Sequence, residues 1–158
     1  MIIITQNWIF DVKPTTKAEL ALNGMVELAL RRPQKPLALA VLAEKQSISL
    51  SYLEQVFASL RKSGLVVSVR GPGGGYLLSR SADSISTGEI ISALDEKQPY
   101  VSPNALPLES SSDSTKAFWD AMSAKVLTVF NGVSLQDVVE GRVGYDQIPA
   151  ESAPRAAE

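Results

Sequence analysis

Residues 69–76 read VRGPGGGY, four glycines and a proline within eight positions. Such a stretch either cradles the phosphates of a nucleotide or turns the chain between two strands. A phosphate loop needs a strand before it, a helix after it and, in the common case, a Gly-Lys-Ser/Thr ending. Here YLLS follows the glycines, with strand composition and no Lys or Thr. A hairpin explains the composition better, because several turn positions require φ > 0 and Pro72 pre-sets its own φ. LVVSV (65–69) is then a β-branched outgoing strand, and GYLLS (75–79) is its return.

Three helical patterns precede the hairpin. TTKAELALNGMVELALRRP (15–33) carries Leu22, Met25, Val26, Leu28 and Ala29 on a broad apolar face, with Pro33 ending the helix after Arg31 and Arg32. LALAVLAEKQ (37–46) is a short helix. SISLSYLEQVFASLRKSG (47–64) is a longer one, with Leu53, Val56, Phe57 and Leu60 on one side and Gly64 as its stop. The order helix, helix, helix, strand, glycine turn, strand is that of a winged helix: the second and third helices form the helix-turn-helix pair, and the hairpin is the wing.

Beyond the hairpin, SISTGEIISALDE (84–96) opens a helix with Ser86 and Glu89 spaced as a capping box. KQPYVSPNALPLESSSDS (97–114), with three prolines, five serines and no periodicity, is read as a loop. TKAFWDAMSAKVLTVFNG (115–132) is amphipathic, with Phe118, Met122, Val126 and Val129 in a stripe and Trp119 and Phe130 beside it. A small domain cannot cover such a stripe, so these six residues are the expected dimerisation surface. SLQDVVEG (134–141) is a short capped helix. The fold class expected is mainly α with a small β-hairpin. It comprises an N-terminal extension over 1–14, a winged helix-turn-helix domain over 15–96, a loop over 97–114, a dimerisation helix with a short following helix over 115–141, and a disordered tail over 142–158.

Composition narrows the chemistry. The chain of 158 residues contains no cysteine and no histidine, which removes disulfides, thiol nucleophiles, Ser-His and Cys-His dyads and nearly every thiolate or imidazole metal site. No Asp/Glu cluster has the spacing of a carboxylate metal site, and no catalytic residue is proposed. No apolar run is long enough to cross a bilayer, and MIIITQNWIF lacks the basic region and cleavage site of a signal peptide, so a cytoplasmic location is expected. The net charge of −2 hides an asymmetry. Through Arg80 there are ten Lys/Arg against five Asp/Glu, and from Ser81 onward five against twelve. Polyanion binding therefore belongs to the first half.

The third helix and the wing supply the contacts. Recognition helices direct their N-terminal residues at base edges, and Ser49, Ser51, Tyr52, Glu54 and Gln55 lie on that face. Serine hydroxyls suit phosphates or bases, Gln55 suits adenine, Tyr52 can bond a phosphate, and Arg61 and Lys62 anchor the backbone at the far end. Glu54 has two readings: it accepts from cytosine N4 and so discriminates among sites, or it is the capping-box partner of Ser51. At the wing, the bare backbone at Gly73 and Gly74 can approach DNA closely, and Arg70 can enter the minor groove or grip phosphates. Lys17 is a weaker phosphate contact.

QSISLSYLEQVFASLRKSGLVVSVRGPGGGYLLSR (46–80), followed by ISTGEIISALDE (85–96), closely resembles the IscR-like family of winged-helix repressors, the iron–sulfur cluster regulators. The resemblance runs from about Thr15 to Asp95 and continues more weakly through FWDAMSAKVLTVFNGVSLQDVV (118–139). It implies a homodimer on a roughly palindromic double-stranded operator, each recognition helix in a major groove and each wing in the adjacent minor groove, with TKAFWDAMSAKVLTVF as the dimerisation helix. Family members carry three cysteines in the preceding loop and a histidine just inside that helix, which hold a [2Fe–2S] cluster. Here the loop has no cysteine and Lys116 stands where the histidine is expected, so no cluster is expected. The family's TTKGRYAL is replaced by TTKAELAL, which removes a basic residue and adds Glu19. Residues 1–14 are an added strand, a disordered leader or a misassigned start. The expected function is a non-enzymatic, cluster-free transcription regulator. Its rivals are a regulator that senses a small molecule in a crevice near Trp119 and PYVSPNALP (99–107), a protein-interaction module, and, least favoured, a nucleotide-hydrolysing enzyme.

Overall fold

The protein is described by a computed structural model covering residues 13–31, 35–94, 100–101 and 113–142. Expectations for residues 1–12, for most of the 97–114 loop and for the tail from 143 lie outside these residues.

Helix α1 (Thr16–Leu30) starts where the Thr15 hydroxyl accepts the Ala18 amide, 3.2 Å away. It ends at Leu30, two residues short of the expected Arg32, because Arg31 is already extended (φ −77°, ψ 114°). The Arg31 guanidinium donates instead to the Pro36 carbonyl at 3.2 Å. Helix α2 (Leu39–Gln46) closes at Ser47, which sits in the left-handed region at φ +55°. That tight turn leads into α3 (Leu50–Lys62), whose buried residues Leu53, Val56, Phe57 and Leu60 are the four expected from spacing. At its C-terminus Gly64 donates to Arg61 O and Leu65 to Leu60 O, the paired bonds of a Schellman ending.

Strands β2 (Val66–Val69) and β3 (Gly75–Leu78) form the expected antiparallel hairpin, with Val66 opposite Leu78 and Val69 opposite Gly75. The hairpin is joined to the body by a pairing that periodicity does not reveal: Leu37 and Tyr76 exchange both backbone hydrogen bonds, each 2.9 Å long. Gly75 makes this possible. A Cβ built there would lie 2.3 Å from Leu37 O, so only glycine lets the two backbones meet.

After a single 3-10 turn (Ala82–Ser84) comes α4 (Thr87–Ser92), and its Ser86–Glu89 capping box is present with both bonds. Part of the 97–114 segment is not loop. Tyr100–Val101 forms β4, antiparallel to β1 (Lys13–Pro14), so the ribbon joins the end of the N-terminal extension to that segment. Strand pairing across such a sequence separation leaves no local periodicity. Helix α5 (Asp113–Asn131) begins two residues ahead of the expected Thr115, and α6 (Leu135–Val139) has Ser134 as its cap. Leu135 is fully buried in the same core as Met25, Leu42, Phe57, Leu60 and Ile90, so α6 packs on the winged-helix body.

Candidate nucleic-acid interface

The interface is built on α3 and the hairpin. One side of α3 is sunk in the core, which leaves Ser51, Glu54, Gln55, Ala58, Arg61 and Lys62 exposed on the other, with Tyr52 half-buried beside them. The cap is Ser49, whose hydroxyl accepts the Tyr52 amide at 3.2 Å. This removes one of the two readings of Glu54. A capping box would pair Ser51 with Glu54, but Ser51 is already inside the helix and Tyr52 occupies the third helical position. Glu54 is an exposed carboxylate with no ion pair among the described residues. Ser49, also exposed, keeps its hydroxyl proton for an outside acceptor.

The wing tip is a tight turn in which Gly74 N donates to Gly71 O at 2.9 Å, with Pro72 and Gly73 (φ +74°) at its centre. That is the pattern of a type II turn. Arg70 stands exposed at its base, and nothing crowds Gly73. Gly74 is half-buried, and a Cβ there would meet Val69 O at 2.3 Å, so it shapes the turn from inside. Phe57 of α3 and Tyr76 of β3 meet edge to face with ring centroids 5.0 Å apart, which couples the wing to the recognition helix through the core.

Lys17 has a different place from the one expected. Its ammonium, half-buried, donates to Leu94 O at 2.9 Å, beyond the end of α4, and so serves the packing of α1 on α4. Arg80, which the motif reading passed over, extends from the foot of the wing to Glu89 at 2.5 Å. The Ser86 amide and then Arg80 hold the Glu89 carboxyl below the usual carboxylate range.

On α5, Phe118, Trp119 and Met122 are 55%, 57% and 40% exposed, and the Phe118 and Trp119 rings contact each other at 5.2 Å. Val126, Val129 and Phe130 are half-buried where α5 meets α4. The stripe is therefore exposed over its first half and half-buried over its second.

A helix-turn-helix pair, a polar recognition face and a glycine-tipped hairpin beside it define a winged helix-turn-helix DNA-binding protein. Comparison with known proteins agrees. The model of the Rrf2 family, iron-dependent transcriptional regulators, matches residues 14–141, and the chain belongs to this family. It is 40% identical over 148 residues, 90% of each chain, to the HTH-type transcriptional regulator IscR of Salmonella paratyphi B. Among solved structures it is similar to T. potens IscR (33% identity, TM-score 0.64, covering 84% of this chain and 89% of that one). It is also similar to CymR, the global cysteine regulator of B. subtilis (33% identity, TM-score 0.62, 82% and 98%). The chain is a DNA-binding transcription regulator and not an enzyme.

The iron that the family description carries does not fit these residues. Iron–sulfur clusters are held by thiolates, with imidazole as the usual substitute, and the chain contains neither. Among the described residues no three carboxylates come together as a metal site either, and no helix is long and apolar enough to cross a membrane.

Proposed function

We propose that the protein works in the cytoplasm as a homodimer on a roughly palindromic operator, in a permanently cluster-free state. The observation that carries the dimer is the open apolar row of Phe118, Trp119 and Met122 on α5, whose exposure in water is unfavourable. Val126, Val129 and Phe130 continue that row. Residues 15–96 are the DNA-binding unit, 97–114 the segment that in relatives serves the cluster, and 115–141 the dimerisation unit with its short following helix.

In this reading Ser49, Ser51, Tyr52 and Gln55 meet phosphates and base edges in the major groove, while Glu54 sets which bases are tolerated. Arg61 grips the backbone. Arg70, carried by Gly73 and Gly74, reaches the minor groove or the phosphates flanking it. The absence of Cys and His supports the cluster-free part. Operator choice then depends on no metal, and the protein behaves throughout as its relatives do when they lack theirs.

Fluorescence anisotropy against genomic fragments selected by the protein, at several salt concentrations, tests the DNA contact. A steep fall of affinity with salt is expected, and a flat response would point to a protein-interaction module. Anaerobic reconstitution with iron and sulfide tests the cluster-free state. A colourless product without bound iron is expected, and stoichiometric iron with visible absorption that survives desalting would refute it.

A further inference from the structure

The joint between the winged-helix body and α5 holds polar chemistry that the DNA-binding reading does not use. Thr87, the first residue of α4, is the one buried polar residue among the described residues, only 4% exposed. Its hydroxyl donates to Phe130 O at 2.7 Å, and its amide donates to Val133 O at 2.8 Å. Both acceptors lie where α5 ends. Around this pair, the Leu135 amide donates to Ile85 O at 2.7 Å, Ser86 and Ser134 form a backbone bridge, and the Ser86 hydroxyl lies 3.4 Å from Asn131 Oδ1. Gly88 brings α4 against the same turn, since a Cβ there would fall 2.0 Å from Asn131 Oδ1 and 3.0 Å from Asn131 N.

Among the described residues none of the 19 in α5 is buried. The helix meets the winged-helix body mainly along α4 and the turn that follows α5, so its direction on that body is set chiefly at its foot. A helix of this length extends about 28 Å, and a tilt of about 7° at the foot carries its far end by about 3.4 Å, one base-pair step of DNA. The same joint leads back to the wing, because Arg80 bonds Glu89, whose carboxylate also accepts the Ser86 amide at 2.9 Å.

We propose that Thr87 is the positioning residue that sets the angle of α5 on the winged-helix body, and with it the half-site spacing that the regulator accepts. The positioning role stands on this chain's own geometry. The spacing consequence rests on the homodimer reading above.

Because the chain has no cysteine, Glu44→Cys with Ala117→Cys introduces two label sites on exposed positions of α2 and α5. Intramolecular spin-label distances are read in full-length protein diluted with unlabelled chain. Thr87→Val keeps shape but strips the hydroxyl from Phe130 O, Thr87→Ser retains it, and Gly88→Ala pushes on Asn131 from the other side. The distance distribution is expected to widen or shift by about 3 Å or more in Thr87→Val and Gly88→Ala and to return to the parent's in Thr87→Ser. On operators with half-sites moved by one base pair either way, Thr87→Val should lose about tenfold of the parent's spacing discrimination, whereas Thr87→Ser keeps it. Lower melting temperatures alone do not satisfy the proposal. Distances unchanged in both Thr87→Val and Gly88→Ala overturn it, and so does a dimeric Thr87→Val that keeps the parent's spacing profile. A widened distribution in a protein that light scattering shows to be monomeric supports the positioning role and refutes the homodimer instead.

Discussion

At the scale of single residues, the proposed interface predicts different outcomes for groups that would position the protein and groups that would choose its site. Arg70 is exposed beside a turn with nothing around it, so Arg70→Ala should weaken binding to strong and weak operators alike, as loss of a backbone or minor-groove contact does. Glu54 should behave differently. With capping assigned to Ser49, Glu54→Ala is expected to leave the melting temperature unchanged and to keep affinity for the best operator. It should gain affinity for sites the parent rejects, by roughly tenfold where a base-edge contact of about 1–3 kcal/mol had decided the choice. Titrating a panel of operator variants checks both substitutions, and an unchanged ranking with Glu54→Ala would leave that residue without a role in specificity. Two glycines of the wing give a further contrast. Gly75→Ala drives a Cβ into the Leu37 carbonyl and should cost about 1–3 kcal/mol, as overpacking against an immovable group does. Gly73→Ala meets open space and carries only the conformational cost of φ +74°, about 1–2 kcal/mol. Thermal denaturation should rank Gly75→Ala below Gly73→Ala, and the reverse order would mean that the Leu37–Tyr76 pairing is dispensable.

At the scale of elements, α4 is short and depends on its ends. Glu89 accepts the Ser86 amide and pairs with Arg80, and its pKa is lowered, the Ser86 bond being the largest cause. A carboxyl whose folded pKa lies below its unfolded one stabilises the protein above the ordinary carboxylate range, and loses that contribution as pH falls through the lowered value. Glu89→Gln should therefore lower the melting temperature near neutrality and flatten its decline in acid. Parallel acid limbs for parent and variant would show that the Glu89 charge, held by Ser86 and Arg80, contributes nothing to stability. Ser86 and Glu89 were legible in the sequence because a capping box is a local pattern, as were the α3 core residues and the glycine hairpin. What was not legible depends on partners distant in sequence. Nothing around Lys17 announces Leu94 O, 77 residues away, and two-residue pairings such as Lys13–Pro14 with Tyr100–Val101 are too short to impose a period. The cap of α3 stayed open between two readings for another reason. Ser49 and Ser51 are both competent caps, and S-x-x-E spacing favours Ser51, whereas the helix begins at Leu50 and takes Ser49. Thr87 was hidden because a threonine in a helix start reads as one more cap neighbour, and its role appears only once α5 comes back against it.

At the scale of the whole molecule, the proposed homodimer turns on the α5 stripe, which is exposed at Met122 and half-buried at Val126. Met122→Lys with Val126→Glu places charges in the proposed dimer seam, and light scattering should report monomers that bind single half-sites but lose most affinity for full operators; a variant that remains dimeric would move the seam elsewhere. The joining of the wing to the body has a consequence for motion. An isolated two-stranded hairpin is marginal in water, and a wing of that kind would open and close by itself. Here the Leu37–Tyr76 bonds and the Phe57–Tyr76 ring contact tie β3 to the segment before α2 and to the centre of α3. The amides of Leu37 and Tyr76 should then exchange their protons with deuterated solvent only as slowly as the interior of α3, in one cooperative opening, while Gly71 and Gly73 at the exposed tip exchange within the shortest times measured. The wing would meet DNA as an arm already set at its root, with freedom only in its last few residues, so that ordering it on the operator costs little entropy.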